Sequence, residues 1–136
     1  MQKLKALLIK HEGMKFKPYT CSAGKLTIGI GRNLEDVGLS AMEVDLLLSN
    51  DIARVSGEAV ANFPWFRELN DTRKDVVLSM LFNIGRSRFK GFKKMIAALE
   101  RRDYQAAAYE MLTSKWSEQV GQRANELAHM MSTGEY

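Results

Sequence analysis

Three side chains able to do chemistry lie within sixteen residues near the N-terminus. Cys21 follows Glu12 by nine positions and Thr27 follows Cys21 by six, in the run Glu12-Gly13-Met14-Lys15-Phe16-Lys17-Pro18-Tyr19-Thr20-Cys21-Ser22-Ala23-Gly24-Lys25-Leu26-Thr27-Ile28-Gly29-Ile30-Gly31. A carboxyl at the end of one helix, followed by a hairpin that carries a thiol and a hydroxyl back past it, places an acid and a second polar group on opposite sides of a cleft. Other chemistries find less support. His11 and His129 are too isolated for a metal site. Gly29-Ile30-Gly31 is only part of a dinucleotide-binding fingerprint and does not lead into a helix in the required way.

The elements that must position these groups are legible. Leu4, Leu7 and Leu8 recur at helical spacing with Lys3, Lys5 and Lys10 on the other side, which predicts an amphipathic helix over 3–11. Gly13 is a stop signal, so Glu12 sits at the helix C-terminus. There the helix dipole disfavours an anion, which suits a proton donor. Each of the three residues also has a plainer reading. Glu12 could be a solvated helix-end charge, Cys21 a small packed side chain, and Thr27 a β-branched strand former.

Pro18-Tyr19 opens an extended segment, Ser22-Ala23-Gly24-Lys25 has turn chemistry, and Leu26 to Ile30 alternates as a strand. A two-stranded hairpin is expected, with room for a short third strand after Gly31. Ser40 and Glu43 form a capping box for a helix from Ala41 to about Ala61. Its inner face would carry Val44, Leu47, Leu48, Ile52 and Val55, and Gly57 could bend it. Phe63-Pro64-Trp65 breaks the pattern. Asn70-Asp71 then caps an apolar, central helix running through Val76, Val77, Met80, Leu81 and Phe82 to Ile84, ended by Gly85. Further helices are expected over Phe92 to Arg101, Tyr104 to Thr113 and Val120 to Met131, before a short frayed tail at Ser132 to Tyr136. Met130, Met131 and the other methionines read as core and tail packing. The reading is an α+β chain of one domain, 1–136, with a small β lobe at about 13–40 and a helical lobe from 1–12 and 41–136, the cleft lying between lobes.

With 136 residues, 46% of them apolar, the chain can build a modest core of its own. A net charge of +4 would suit an anionic partner. Most basic residues are scattered, and only Arg86, Arg88, Lys90, Lys93 and Lys94 form a dense group. No stacking aromatics interleave with that group, so nucleic acid is a distant reading and an anionic envelope surface the nearer one. One cysteine excludes an internal disulfide. The first residues lack the apolar core of a secretion signal, and no run approaches the ~18 apolar residues of a membrane span. No export by the general route is therefore expected.

The Glu12–Cys21–Thr27 strip resembles the active-site run of the phage-type lysozymes, the glycoside hydrolase family that includes the T-even-phage enzyme. That family shows Glu, then Asp or Cys nine positions on, then Thr six later inside Thr-Ile-Gly-x-Gly. The likeness runs the length of the chain. Phe82-Asn83-Ile84-Gly85 is similar to the family's Phe-Asn-x-Gly, Lys90-Gly91-Phe92 with Met95 to its Gly-Phe turn, and Ser114-Lys115-Trp116, Gln119 and Arg123-Ala124 to its Ser-Arg-Trp…Gln…Arg-Ala stretch. Two departures stand out: Arg32 replaces the family's His, and the segment between Arg32 and Ser40 is shorter, which implies a reduced small lobe.

The resemblance implies a peptidoglycan hydrolase (an endolysin) cleaving the β-1,4 bond between N-acetylmuramic acid and N-acetylglucosamine, with inversion. Glu12 would be the general acid, Cys21 the partner of the attacking water in the family's Asp position, and Thr27 the hydroxyl that helps hold that water. A free thiol has a pKa of ~8.5 and is only a few per cent thiolate at neutral pH, so Cys21 could act as base or only orient water. Phe82, Asn83 and Arg123 match substrate-facing positions, and Arg123 matches an arginine beside the family's glutamate. Tyr19 could line the saccharide site or staple the hairpin to the helix. Arg32 would pair with Asp51, as the family's His pairs with Asp. No metal or organic cofactor is implied. A monomer is expected, held in the host cytoplasm until lysis and then reaching the periplasm and wall with the help of a holin-type, membrane-permeabilising partner. Two other readings stay open. One is a lytic transglycosylase, which needs a single acid and leaves a 1,6-anhydro product; the other is a peptidoglycan-binding module without catalysis.

Overall fold

All 136 residues are described by the structure, a computed structural model. Backbone contacts divide the chain into two units, Met1–Leu47 and Leu48–Tyr136. The architecture is α+β, seven helices and one small antiparallel sheet.

The first unit holds helix α1 (Gln2–Glu12), strands β1 (Lys15–Thr20), β2 (Leu26–Gly29) and β3 (Arg32–Asn33), and the start of helix α2 (Ala41–Asn62). The sheet order is β1-β2-β3, so the expected third strand is present and the Thr27 strand is central. Register pairs Tyr19 and Thr20 of β1 with Thr27 and Leu26 of β2, and Thr27 of β2 with Asn33 of β3. A bulge between Lys15 and Tyr19 shifts the rest of β1. The turn is closed by Cys21 N–H donating to the Lys25 carbonyl (2.9 Å) and Gly24 N–H to the Cys21 carbonyl (2.9 Å). Asn33 locks the far end: its side-chain oxygen accepts from the N–H groups of Glu35 (3.0 Å) and Asp36 (2.9 Å). The Glu35 carboxylate in turn takes the Leu26 N–H at 2.6 Å.

The capping box at Ser40 forms as its sequence dictates. Glu43 N–H donates to Ser40 Oγ (3.2 Å) and Ser40 N–H to Glu43 Oε1 (2.8 Å). Arg32 does not follow the family's pairing. Its guanidinium bonds Glu43 Oε1 at 2.8 Å and the Gly38 carbonyl at 3.0 Å, while Asp51 pairs with Arg54. The reason is local: with so short a connection after β3, the first turn of α2 brings the Glu43 carboxylate to Arg32. That carboxyl is pushed down to about 2, by the Arg32 hydrogen bond first and by the Ser40 backbone and hydroxyl second.

The second unit contains the rest of α2, a 3₁₀ turn (Pro64–Glu68), and helices α3 (Asp71–Phe89), α4 (Lys93–Glu100), α5 (Tyr104–Leu112), α6 (Lys115–Val120) and α7 (Gln122–Thr133). Asn70, Asp103 and Ser114 cap α3, α5 and α6 through their side chains. Helix α3 is the buried centre, contributing Val76, Val77, Met80, Leu81 and Phe89 to a core completed by Met95, Leu99, Met111, Trp116, Leu127, Met130 and Met131. The expected stop at Gly85 is a break in the helix, with φ 80° and ψ 165°, after which one more turn carries Phe89 into an aromatic cluster with Phe63, Trp65 and Phe92. The 3₁₀ turn and α6 are elements the periodicity did not resolve; each is too short to show a helical repeat. The inner face expected for α2 is realised only in its later turns: Val55 and Ala59 are buried, whereas Val44, Leu47, Leu48 and Ile52 stay exposed. Gly57 leaves the helix uninterrupted.

Candidate active site

Glu12 closes α1. The Gly13 N–H returns to the Ile9 carbonyl at 2.8 Å, ending the helix and turning the chain into β1. The Glu12 carboxyl then lies against the turn between β2 and β3. A Cβ placed on Gly31 would stand 3.0 Å from Glu12 Oε2.

Cys21 and Thr27 are brought together by the hairpin. Thr27 is the one buried polar side chain of the protein, 3% exposed, and its hydroxyl donates to the Lys25 carbonyl at 2.9 Å. The Cys21 thiol is held below its ordinary value by the peptide N–H groups of Lys25 and Ala23, and to a smaller extent by the Thr27 hydroxyl; burial opposes this only weakly. The Thr27 hydroxyl carries a single proton. Beside a thiol that proton serves the Lys25 carbonyl, and beside a thiolate it can turn to sulfur. Tyr19 and Asn33 are the cross-strand partners of Thr27 on its two sides, so the three side chains share one face of the sheet.

The other expected site residues sit in the second unit. Phe82 is exposed and borders a groove of about 390 Å³ with Leu78, Ser79, Ile52 and Tyr136. Arg123 reaches that same stretch of α3, donating to Ser79 Oγ at 3.2 Å. Asn83 faces elsewhere: its side-chain oxygen accepts from Trp116 Nε1 at 3.0 Å. Trp116 in turn lines a cavity of about 600 Å³ with Ile84, Phe92, Gln119 and four cations, Arg88, Lys93, Lys94 and Lys115. Three of those cations belong to the dense basic group of the sequence. Lys115 joins them only through folding.

Reading the chain alone left two of these roles unseen. Gly31 was part of a motif without a task, although glycine in a strand run marks a close approach of backbone and side chain. The peptide groups of Lys25 and Ala23, which favour the Cys21 thiolate, carry no signal in residue type. No cluster of His, Cys, Asp and Glu suited to a metal is present.

Residues 9–130 match the phage lysozyme family. Among individual relatives, the chain is similar to the endolysin of Salmonella phage P22, 32% identical over 79% of this chain and 77% of the relative. It is likewise 32% identical to the endolysin of Acyrthosiphon pisum secondary endosymbiont phage 1, over 82% of this chain and 75% of the relative. A probable T4-type lysozyme of Dictyostelium discoideum is 26% identical over 96% and 94%. The chain belongs to the phage lysozyme family of glycoside hydrolases.

Proposed function

We propose that this lysozyme cleaves the β-1,4 bond between N-acetylmuramic acid and N-acetylglucosamine in peptidoglycan, inverting the anomeric carbon. Glu12 donates its proton to the leaving glycosidic oxygen as the C1–O bond breaks. A water held by the Thr27 hydroxyl attacks C1 from the opposite face and gives its proton to the Cys21 thiolate. Solvent then carries that proton back to Glu12, so the cycle consumes one water and no cofactor. The observation that supports this reading most is the setting of Cys21. Two peptide N–H groups and the Thr27 hydroxyl favour its thiolate, which is what a base needs and a packed apolar thiol does not.

In this reading Tyr19, Phe82, Asn83 and Arg123 serve substrate binding. The cavity at Trp116, with four cations against the single carboxylate of Glu110, suits the anionic groups of a wall polymer. The chain acts as one lysozyme-like domain and as a monomer. It is held in the host cytoplasm until a holin-type partner opens the membrane; no helix of its own is long and apolar enough to cross one.

Digestion of purified peptidoglycan with mass analysis of the products tests the bond and the mechanism together. Reducing ends are expected on N-acetylmuramic acid. Ends carrying 1,6-anhydro rings would replace hydrolysis with transglycosylation, and no release would leave only binding. Glu12→Gln keeps shape but has no proton to give, so turnover should fall about 10²–10⁴-fold with wall binding retained. Near-native turnover in that variant would refute the assignment.

A further inference from the structure

We propose that Gly31 is a positioning residue for the Glu12 carboxyl: lacking a side chain, it lets the acid lie close against the β2–β3 turn. The inference deepens the role just given to Glu12 and rests on it. The two residues are nineteen positions apart, and folding lays the β2–β3 turn directly under the carboxyl. A Cβ on Gly31 would come within 3.0 Å of Oε2, 3.2 Å of Cδ and 3.3 Å of Cγ. Three consecutive atoms are met at once, each closer than an ordinary Cβ contact, so the carboxyl end of the side chain must give way by a few tenths of an ångström. Glu12 is exposed, so its carboxyl has room to give way. A methyl group here would therefore displace the acid while leaving the fold standing.

Gly29 supplies an internal control. Both glycines have φ +71°, so a substitution at either meets a left-handed backbone penalty. A Cβ on Gly29, however, has nothing within 4 Å. A change at the Glu12 carboxyl in Gly31→Ala that Gly29→Ala lacks reports the Glu12 contact and not the positive φ that the two sites share.

The test compares the two variants and the parent in three readouts: thermal midpoint, kcat and KM on purified peptidoglycan, and the ¹³C resonance of the Glu12 carboxyl, assigned by its loss in Glu12→Gln. Both alanines should lower the midpoint, since each puts a Cβ at a positive φ. Gly31→Ala alone should lose kcat, by less than the roughly 10²-fold that a displacement of about an ångström costs, with KM little changed and the Glu12 resonance moved. Equal losses of kcat in the two variants, or an unmoved Glu12 resonance in Gly31→Ala, would overturn the proposal. If Gly31→Ala does not fold, the double variant Glu12→Ala/Gly31→Ala should fold, because the crowding side chain is gone; an unfolded double variant overturns it too. If Glu12→Gln proves active, the catalytic reading fails, while the resonance still decides whether Gly31 holds the carboxyl in place.

Discussion

Thr27→Val should raise the Cys21 thiol and carry the working pH range upward with it. Valine matches threonine in shape, so the packing of this buried position is kept and only the hydroxyl is lost. The stability cost is small for a specific reason. The Lys25 carbonyl that loses the Thr27 donor still accepts from Cys21 N–H at 2.9 Å, so no buried acceptor is stranded. One net hydrogen bond, about 0.5–1.5 kcal/mol, is the expected loss. The chemical cost falls on Cys21. Of the groups that favour its thiolate, the Lys25 and Ala23 peptides remain and the Thr27 hydroxyl is gone. Removing one such bond should reduce the thiolate population near neutral pH about threefold to tenfold. The sign follows from the titration: a thiol raised in pKa needs higher pH to ionise, so activity lost at neutral pH is partly recovered at alkaline pH. Two assays read the effect separately. The pH dependence of iodoacetamide alkylation gives the thiol directly, and the pH–rate profile on peptidoglycan gives the base. Both should move to higher pH together. Coincident alkylation profiles for Thr27→Val and the parent would refute the proposed coupling, and a shifted alkylation profile with an unshifted rate profile would show that Cys21 is not the base.

Cys21→Ala should lower turnover at least about tenfold, and toward 10²–10⁴-fold if the thiolate is the base; a folded, fully active alanine variant would favour a single-acid mechanism. Cys21→Asp exchanges a thiol for a carboxylate with a reference pKa of ~3.9, so its rate profile should extend to more acidic pH. Arg32→Ala and Glu43→Ala should be non-additive in thermal stability, whereas Arg32→Ala and Asp51→Ala should add. Because the Glu43 carboxyl is depressed to about 2, its stabilisation is fully present above the ordinary value near 4.5 and is lost as pH falls toward about 2. The midpoint difference between the parent and Glu43→Gln should shrink over that window, and a constant difference would refute the ion pair. Phe89→Ala, fully buried at the centre of the aromatic cluster, should cost about 3–5 kcal/mol in urea unfolding.

What the sequence determined by itself is what neighbouring residues decide among themselves. The capping box at Ser40, the cap at Asn70, the break at Gly85 and the turn at Ser22–Lys25 are each set within four or five residues, and each stands where its residues put it. The spacing of Glu12, Cys21 and Thr27 is likewise a one-dimensional fact, and it carried the family. Partners distant in the chain were decided only by tertiary structure. Arg32 could as well have met Asp51 as Glu43; the short connection after β3 and the first turn of α2 select Glu43. The apolar positions of α2 share one helical period, yet burial separates Val55 and Ala59 from Val44, Leu47, Leu48 and Ile52, because periodicity names a face but not how far along the helix a core extends. Lys115 joins the cations of the α3–α4 region, and Asn83 fixes the Trp116 indole, through helix packing that no local pattern encodes. The approach of Glu12 to Gly31 depends on all the chain between them, β1, the hairpin turn and β2, including a bulge in β1 that shifts the register. Residue types announce which groups can react, but the distances between them are sums over every turn in between.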